Sequence, residues 1–127
     1  MAAVSGKTKR ILIVDDDLEL ARMMEEILHN HDYEILLAHD GIQAIEKSKE
    51  GKIDLILLDI RMPFFSGFWF CDAFKQRRET KDVPVVVVSA LQEEEHVQKA
   101  YHLGASDYLK KPFHAAELLA VVKKNLG

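Results

Sequence analysis

Apolar residues fall along the chain in two alternating textures. Five short runs are nearly unbroken, at residues 11–14, 33–38, 53–58, 85–88 and 108–109 with its flanks. The first four hold Ile, Leu and Val with little alternation, the pattern of strands covered on both faces. Between the runs, apolar residues recur at intervals of three and four. Leu18, Ala21, Met24 or Glu25, and Leu28 form one such set. Ile42, Ile45 and Lys49 form a second after the turn Asp40-Gly41, and Phe70, Ala73, Phe74 and Arg77 a third. Val97, Ala100 and Tyr101 form a fourth that ends at Leu103-Gly104, where Gly104 suits a helix C-cap. Residues 115–126 form the last. The order β-α, five times over, predicts a doubly wound α/β sandwich, (βα)5, with a five-stranded parallel sheet and helices on both faces.

Length adds that one core fills the chain: 127 residues suffice for one domain and not for two. Residues 1–7 read as a disordered leader and residues 8–127 as the domain. The leader lacks the apolar stretch of a secretory signal. No apolar run approaches the roughly 20 residues that span a bilayer, so no membrane partner is expected. The net charge of −4 gives no electrostatic case for binding nucleic acid or a membrane surface. The single cysteine, Cys71, excludes an internal disulfide and suits a reducing compartment. The expected location is the cytoplasm.

In an open parallel sheet, ligands bind beyond the carboxyl ends of the strands. The first run is followed by Asp15, Asp16 and Asp17, the third by Asp59, the fourth by Ser89 and the fifth by Lys111. The second ends in Ala38-His39, which suits an outer strand away from the site. The carboxylates make a hard oxygen site for a divalent cation such as Mg²⁺, with Mn²⁺ as a substitute. Asp59, last on its strand, can act as a nucleophile, and Ser89 and Lys111 can donate hydrogen bonds to a new anion. Lys111 precedes Pro112, and a residue before proline is held extended. Taken singly, these residues have plainer readings. Asp17 directly precedes the first helix and reads as its N-cap; Ser89 alone would be a turn residue and Lys111 a solvated charge. The functional reading rests on four of five strand ends agreeing.

With these segments in view, the chain resembles the receiver domain of two-component response regulators, the CheY-like phosphoacceptor partner of sensor histidine kinases. The resemblance covers about residues 8–126 and rests on ILIVDDD, LILLDIRMP, VVVVSA and DYLKKPF in that order. It implies a flavodoxin-like strand order. It further implies that Asp59 is the phosphorylation site, that Asp16 binds Mg²⁺ directly with Asp15 assisting, and that the backbone carbonyl of Arg61 is a third ligand. Ser89 is then the hydroxyl that moves to the phosphoryl group and Lys111 the amine that pairs with it. Tyr108 is the aromatic switch, and Arg61 and Leu91 flank the path of the hydrolytic water and tune lifetime, predicting slow self-dephosphorylation. The implied donor is a sensor histidine kinase or phosphotransfer domain, or a small acyl phosphate. The implied readout is the surface of the fourth helix, fifth strand and fifth helix. The resemblance makes the domain a switch and not an enzyme with a separate substrate. Its output partner is not named by the sequence. A homodimer through the fourth-helix to fifth-helix face is compatible with it. Both a stand-alone receiver and a piece of a longer regulator remain open.

One stretch departs from the family pattern. In FFSGFWF, residues 64–70, Phe64 and Phe65 occupy a turn where small or polar residues are usual. Ser66 can cap the third helix, and Phe68, Phe70, Cys71 and Phe74 fit its core face. Phe64 and Trp69 are left over, either half-buried on the surface or part of a partner or dimer patch. Three other functions compete. A Mg²⁺ phosphohydrolase would use Asp15 as nucleophile with Asp17 nearby, a flavin carrier would want a glycine- and hydroxyl-rich phosphate loop, and a receiver-like scaffold would work without phosphorylation.

Overall fold

The computed structural model describes residues 8–126, so the expected leader lies outside the described residues. Five strands form the sheet: β1 (Arg10–Val14), β2 (Glu34–Ala38), β3 (Leu55–Leu58), β6 (Val85–Ser89) and β7 (Asp107–Lys110). All are parallel, in the order β2-β1-β3-β6-β7, with Val14 level with Leu58 and Ser89 level with Lys110. This is the expected (βα)5 sandwich, and β2 lies at an edge, as its bland carboxyl end suggested. A two-residue antiparallel pair, β4 (Arg61–Met62) with β5 (Phe65–Ser66), was not anticipated. It closes the turn that carries Phe64.

The unbroken apolar runs divide by parity, as the pleat requires. Leu12, Val14, Ile56, Leu58, Val85 and Val87 face one core. It is covered by α2 (Gly41–Lys47), α3 (Gly67–Gln76) and α4 (Glu94–His102). Ile11, Ile13, Leu55, Leu57, Val86 and Val88 face the other. That one is covered by α1 (Leu18–His29) and α5 (Ala115–Leu126) through Met24, Leu28, Leu118 and Val122. The helices begin where side chains can satisfy free N–H groups. Asp17 accepts from Leu20 N at 3.1 Å, Asp40 from Gln43 N at 2.8 Å, and Ser66 from Trp69 N at 3.2 Å. The capping roles expected for Asp17 and Ser66 are therefore borne out.

Several expectations need correction. α2 does not bury Ile42 and Ile45: they are 72% and 37% exposed, and Ala44 is the buried residue. The face that this short helix turns to the core carries Ala44, with Ser48 one turn on, so Ile42 and Ile45 point away from it. Lys49 and Arg77 lie beyond the ends of their helices, and Tyr33 and Ile53 lie outside the strands. α4 is capped by Leu103, and Gly104 follows with φ +108°. Phe64 is not half-buried but fully exposed, at φ +56°. Phe68 is half-buried against the core, with the Lys99 ammonium 4.6 Å from its ring centre. Cys71 is buried; its thiol donates to Leu103 O at 3.8 Å, and burial pushes its pKa up to about 11.

Candidate functional site

The carboxyl ends of β1 and β3 are level, so their following residues meet. Carboxylate oxygens of Asp15, Asp16 and Asp59 lie within 4.8 Å of one another. Asp15 and Asp59 are buried and Asp16 is exposed. Lys111, delivered by the chain after β7, bridges the two buried acids: its Nζ donates to Asp15 Oδ2 at 2.8 Å and to Asp59 Oδ2 at 3.2 Å. The Lys111-Pro112 peptide bond is cis. The remaining oxygens of the buried pair are held by backbone. Asp17 N donates to Asp15 Oδ1 at 2.9 Å, and Arg61 N donates to Asp59 Oδ1 at 3.0 Å.

Three carboxylates share one amine, so the site keeps a surplus of negative charge. Burial pushes the Asp59 pKa up; the Arg61 N–H and the Lys111 charge oppose that without cancelling it. For Lys111, burial pulls the other way but is outweighed by Asp15 and Asp59, so its amine is held above the usual lysine value. This donor set, all hard oxygen with one acid open to solvent and in excess of the resident cation, fits a small divalent cation. Asp16 has no hydrogen bond from its side chain among the described residues, so a cation would displace nothing there.

The hydroxyl and the aromatic meet on one residue that is not charged. Ser89 is fully buried, and its Oγ accepts from Leu91 N at 3.2 Å. Tyr108, half-buried, donates its hydroxyl to Leu91 O at 2.5 Å, and burial raises its pKa. Gln92 Nε2 donates to Lys111 O at 2.9 Å. The loop after β6 is thus tied to the strand end, to Tyr108 and to the backbone of Lys111. The Arg61 side chain is exposed and Leu91 half-buried.

Two features escaped the sequence reading. One is a cavity of about 350 Å³ beside the acids, lined by Leu20, Met23, Ala90, Lys111, Pro112 and Phe113. Met23 is 44% exposed, as is Leu18 at 47% at the start of α1, although Leu18 had been placed on the core stripe. Its position as the first helical residue after the cap was the available signal. The other is Gly67. A Cβ there would collide with Ile60 Cα and come within 2.7 Å of Asp59 O. These are backbone atoms and cannot turn aside. A Gly67→Ala variant is expected to lose about 2 kcal/mol by overpacking. In Gly41→Ala the obstacle is the Phe65 ring, which can rotate away, so the loss should be smaller. Urea denaturation of both variants checks this; equal losses would contradict it.

In this geometry Asp15 and Asp59 are alike, both buried with both oxygens engaged. The three acids leave no phosphate loop for a flavin carrier. The family model described as response regulator receiver domain matches residues 11–123, and it is this match that disfavours the phosphohydrolase reading. The transcriptional regulatory protein CpxR of Escherichia coli is 40% identical over 114 residues, 90% of this chain and 47% of that protein. ResD of Bacillus subtilis, also a transcriptional regulatory protein, is 37% identical over 90% of this chain and 46% of its own length. The chain thus spans about half the length of these relatives. Among solved structures, chemotaxis response regulator CheY4 of Vibrio cholerae superposes with a TM-score of 0.89 at 29% identity, covering 94% of this chain and all of that one (100%).

Proposed function

The chain belongs to the response regulator receiver family, and on that premise we propose that Asp59 is the residue it phosphorylates, using a histidine kinase as donor. The observation that carries the reading is the bridge of Lys111 across Asp15 and Asp59, beside the exposed Asp16. The donor's phosphorus lies in line with an Asp59 oxygen. The phosphorus–oxygen bond forms as the bond to the donor's imidazole nitrogen, or acyl oxygen, breaks; the imidazole nitrogen takes up a proton, whereas the acyl group departs as its carboxylate. The Arg61 N–H fixes the rotamer of Asp59. The amine of Lys111 follows the charge from the carboxylate to the phosphoryl oxygens. Asp15, Asp16, Asp59 and the carbonyl of Arg61 would hold Mg²⁺. When bound, the ion supplies electrostatic stabilisation of the transferring group. The apolar cavity at Met23 and Phe113 adjoins this site and offers the donor a place to dock. We infer a cytoplasmic location from the family.

The switch follows from the ties to Leu91. A phosphoryl group adds about two negative charges and new acceptor oxygens. Ser89 can donate its own O–H to them, and as its Oγ moves toward the phosphoryl group the bond it accepts from Leu91 N is stretched. The loop then loses one of its anchors, and the bond from Tyr108 to Leu91 O loosens with it. The surface of α4, β7 and α5 changes because phosphorylation favours one of two packings.

The test is intact mass after incubation with acetyl phosphate and Mg²⁺. One phosphoryl group, absent when Mg²⁺ is withheld, is expected; no added mass from acetyl phosphate or from a phosphorylated histidine kinase would overturn the proposal and favour the scaffold. Mg²⁺ alone is expected to raise the melting temperature, by about 1.4 kcal/mol of stability at ten times its Kd. Asp16→Asn should remove that gain without changing the melting temperature in its absence, since this side chain bonds to nothing else. The phosphorylated state is expected to be long-lived, with the Arg61→Ala, Leu91→Ala double variant hydrolysing several-fold faster by radiolabel chase.

A further inference from the structure

Away from the acids, an apolar groove of about 300 Å³ lies between α2 and α3. Its walls include Ile45, Trp69, Ala73 and Phe74. Trp69 is 56% exposed, an unusual position for a residue that can bury so much apolar surface. Ile42 lies one turn before Ile45 and extends the same face of α2. The only charged residues lining the groove are Lys49 and Arg77, both cations. Lys49 makes no ion pair among the described residues. Arg77 reaches Glu79 only at 3.9 Å, an exposed and long contact that leaves its guanidinium available. A chain of net charge −4 thus presents an apolar cleft bounded by positive charge.

We propose that this groove is a docking site for an acidic amphipathic helix of a partner protein. The cleft has room for one bulky apolar anchor and not for an extended ligand. The cations beside it complement carboxylates on the flank of the same helix, a recognition mode that combines an apolar anchor with charge steering. The face is separate from the acids and from the α4–β7–α5 surface, so this inference stands apart from the phosphoryl chemistry.

Trp69 is the only tryptophan in the chain, so its emission reports on this groove alone. The probe is a synthetic amphipathic helix with Leu and Phe on one face and Glu on the other. A saturable blue shift of Trp69 emission is expected, with Kd in the micromolar range. In the Lys49→Glu, Arg77→Glu double variant, binding should weaken by about tenfold or more, and Ile42→Ser should weaken it several-fold. All three positions are exposed, and circular dichroism checks that the variants fold. No shift with this peptide, equal binding of a peptide carrying Lys in place of Glu, or indifference to the charge reversals would each overturn the proposal. Self-association that shifts Trp69 emission without peptide would do the same by making a second copy the occupant.

Discussion

An Asp59→Asn variant is expected to take no phosphoryl group from acetyl phosphate and, at neutral pH, to melt a few degrees higher than the native chain. The first half removes the nucleophile. The second follows from burial. Asp59 is 7% exposed, and its pKa is raised in the fold, chiefly by desolvation. A carboxyl whose folded pKa exceeds its unfolded one binds its proton more tightly when native. Ionised Asp59 therefore costs stability, and that cost grows as pH rises from the ordinary carboxylate value through the raised one. Asn keeps an oxygen for the Arg61 N–H and lays no charge beside Asp15. The gain should be present at neutral pH and vanish in acid, where native Asp59 is already protonated. Thermal unfolding across that range is the check. A variant less stable than the native chain at neutral pH would show that the Lys111 contact to Asp59 outweighs desolvation.

Lys111→Met should act in the opposite direction. It leaves Asp15 and Asp59 facing each other, both almost sealed from water, with no cation between them. Breaking a buried ion pair from one side costs about 3 kcal/mol. Lys111 has its pKa raised by its acidic partners, so in the native chain its contribution is complete below the ordinary lysine value and is lost only as pH rises through the raised one. At neutral pH the variant therefore forfeits all of it. The loss should shrink on acidification, as one carboxyl takes up a proton. Phosphoryl acceptance should fall by about 10²- to 10³-fold, the effect of removing one charge-stabilising donor. Mg²⁺ should raise the melting temperature of this variant more than that of the native chain, because the site is left more negative. An equal rise in both proteins would place the ion elsewhere. Asp59→Asn and Lys111→Met thus both lose phosphorylation while moving stability in opposite directions, which separates chemistry from unfolding.

Much of this was legible in the order of residues. Strands buried on both faces must be nearly all apolar, so the runs at residues 11–14, 53–58 and 85–88 announced themselves, the one at 53–58 being two residues longer than the strand it marks. The ligand edge of a parallel sheet then followed from what came next along the chain. Asp15, Asp16, Asp59 and Lys111 were brought together as expected, because each sits one or two residues past a strand whose register is fixed. α2 was misread for the converse reason. Its three-four spacing marks an apolar face but not which face the sheet receives, and the face turned inward carries Ala44 and Ser48 instead. Gly67 was unreadable for a similar reason, since its neighbour Ile60 approaches through the β4–β5 pair, which two residues a side cannot signal. The Leu91 peptide, anchored through both its N–H and its carbonyl, carries no side-chain signature at all.

Cys71 gives the domain one more property. With a thiol pKa of about 11, roughly one molecule in ten thousand carries the thiolate at neutral pH, and that sulfur faces the interior between α3 and the end of α4. Peroxide and electrophiles react through an exposed thiolate, so both the population and the access are suppressed. Thiol oxidation should therefore leave the domain's phosphoryl signal unaltered. A cysteine introduced on the surface would be the only one to react with a maleimide, which makes the native thiol a silent background for placing a reporter near Leu91.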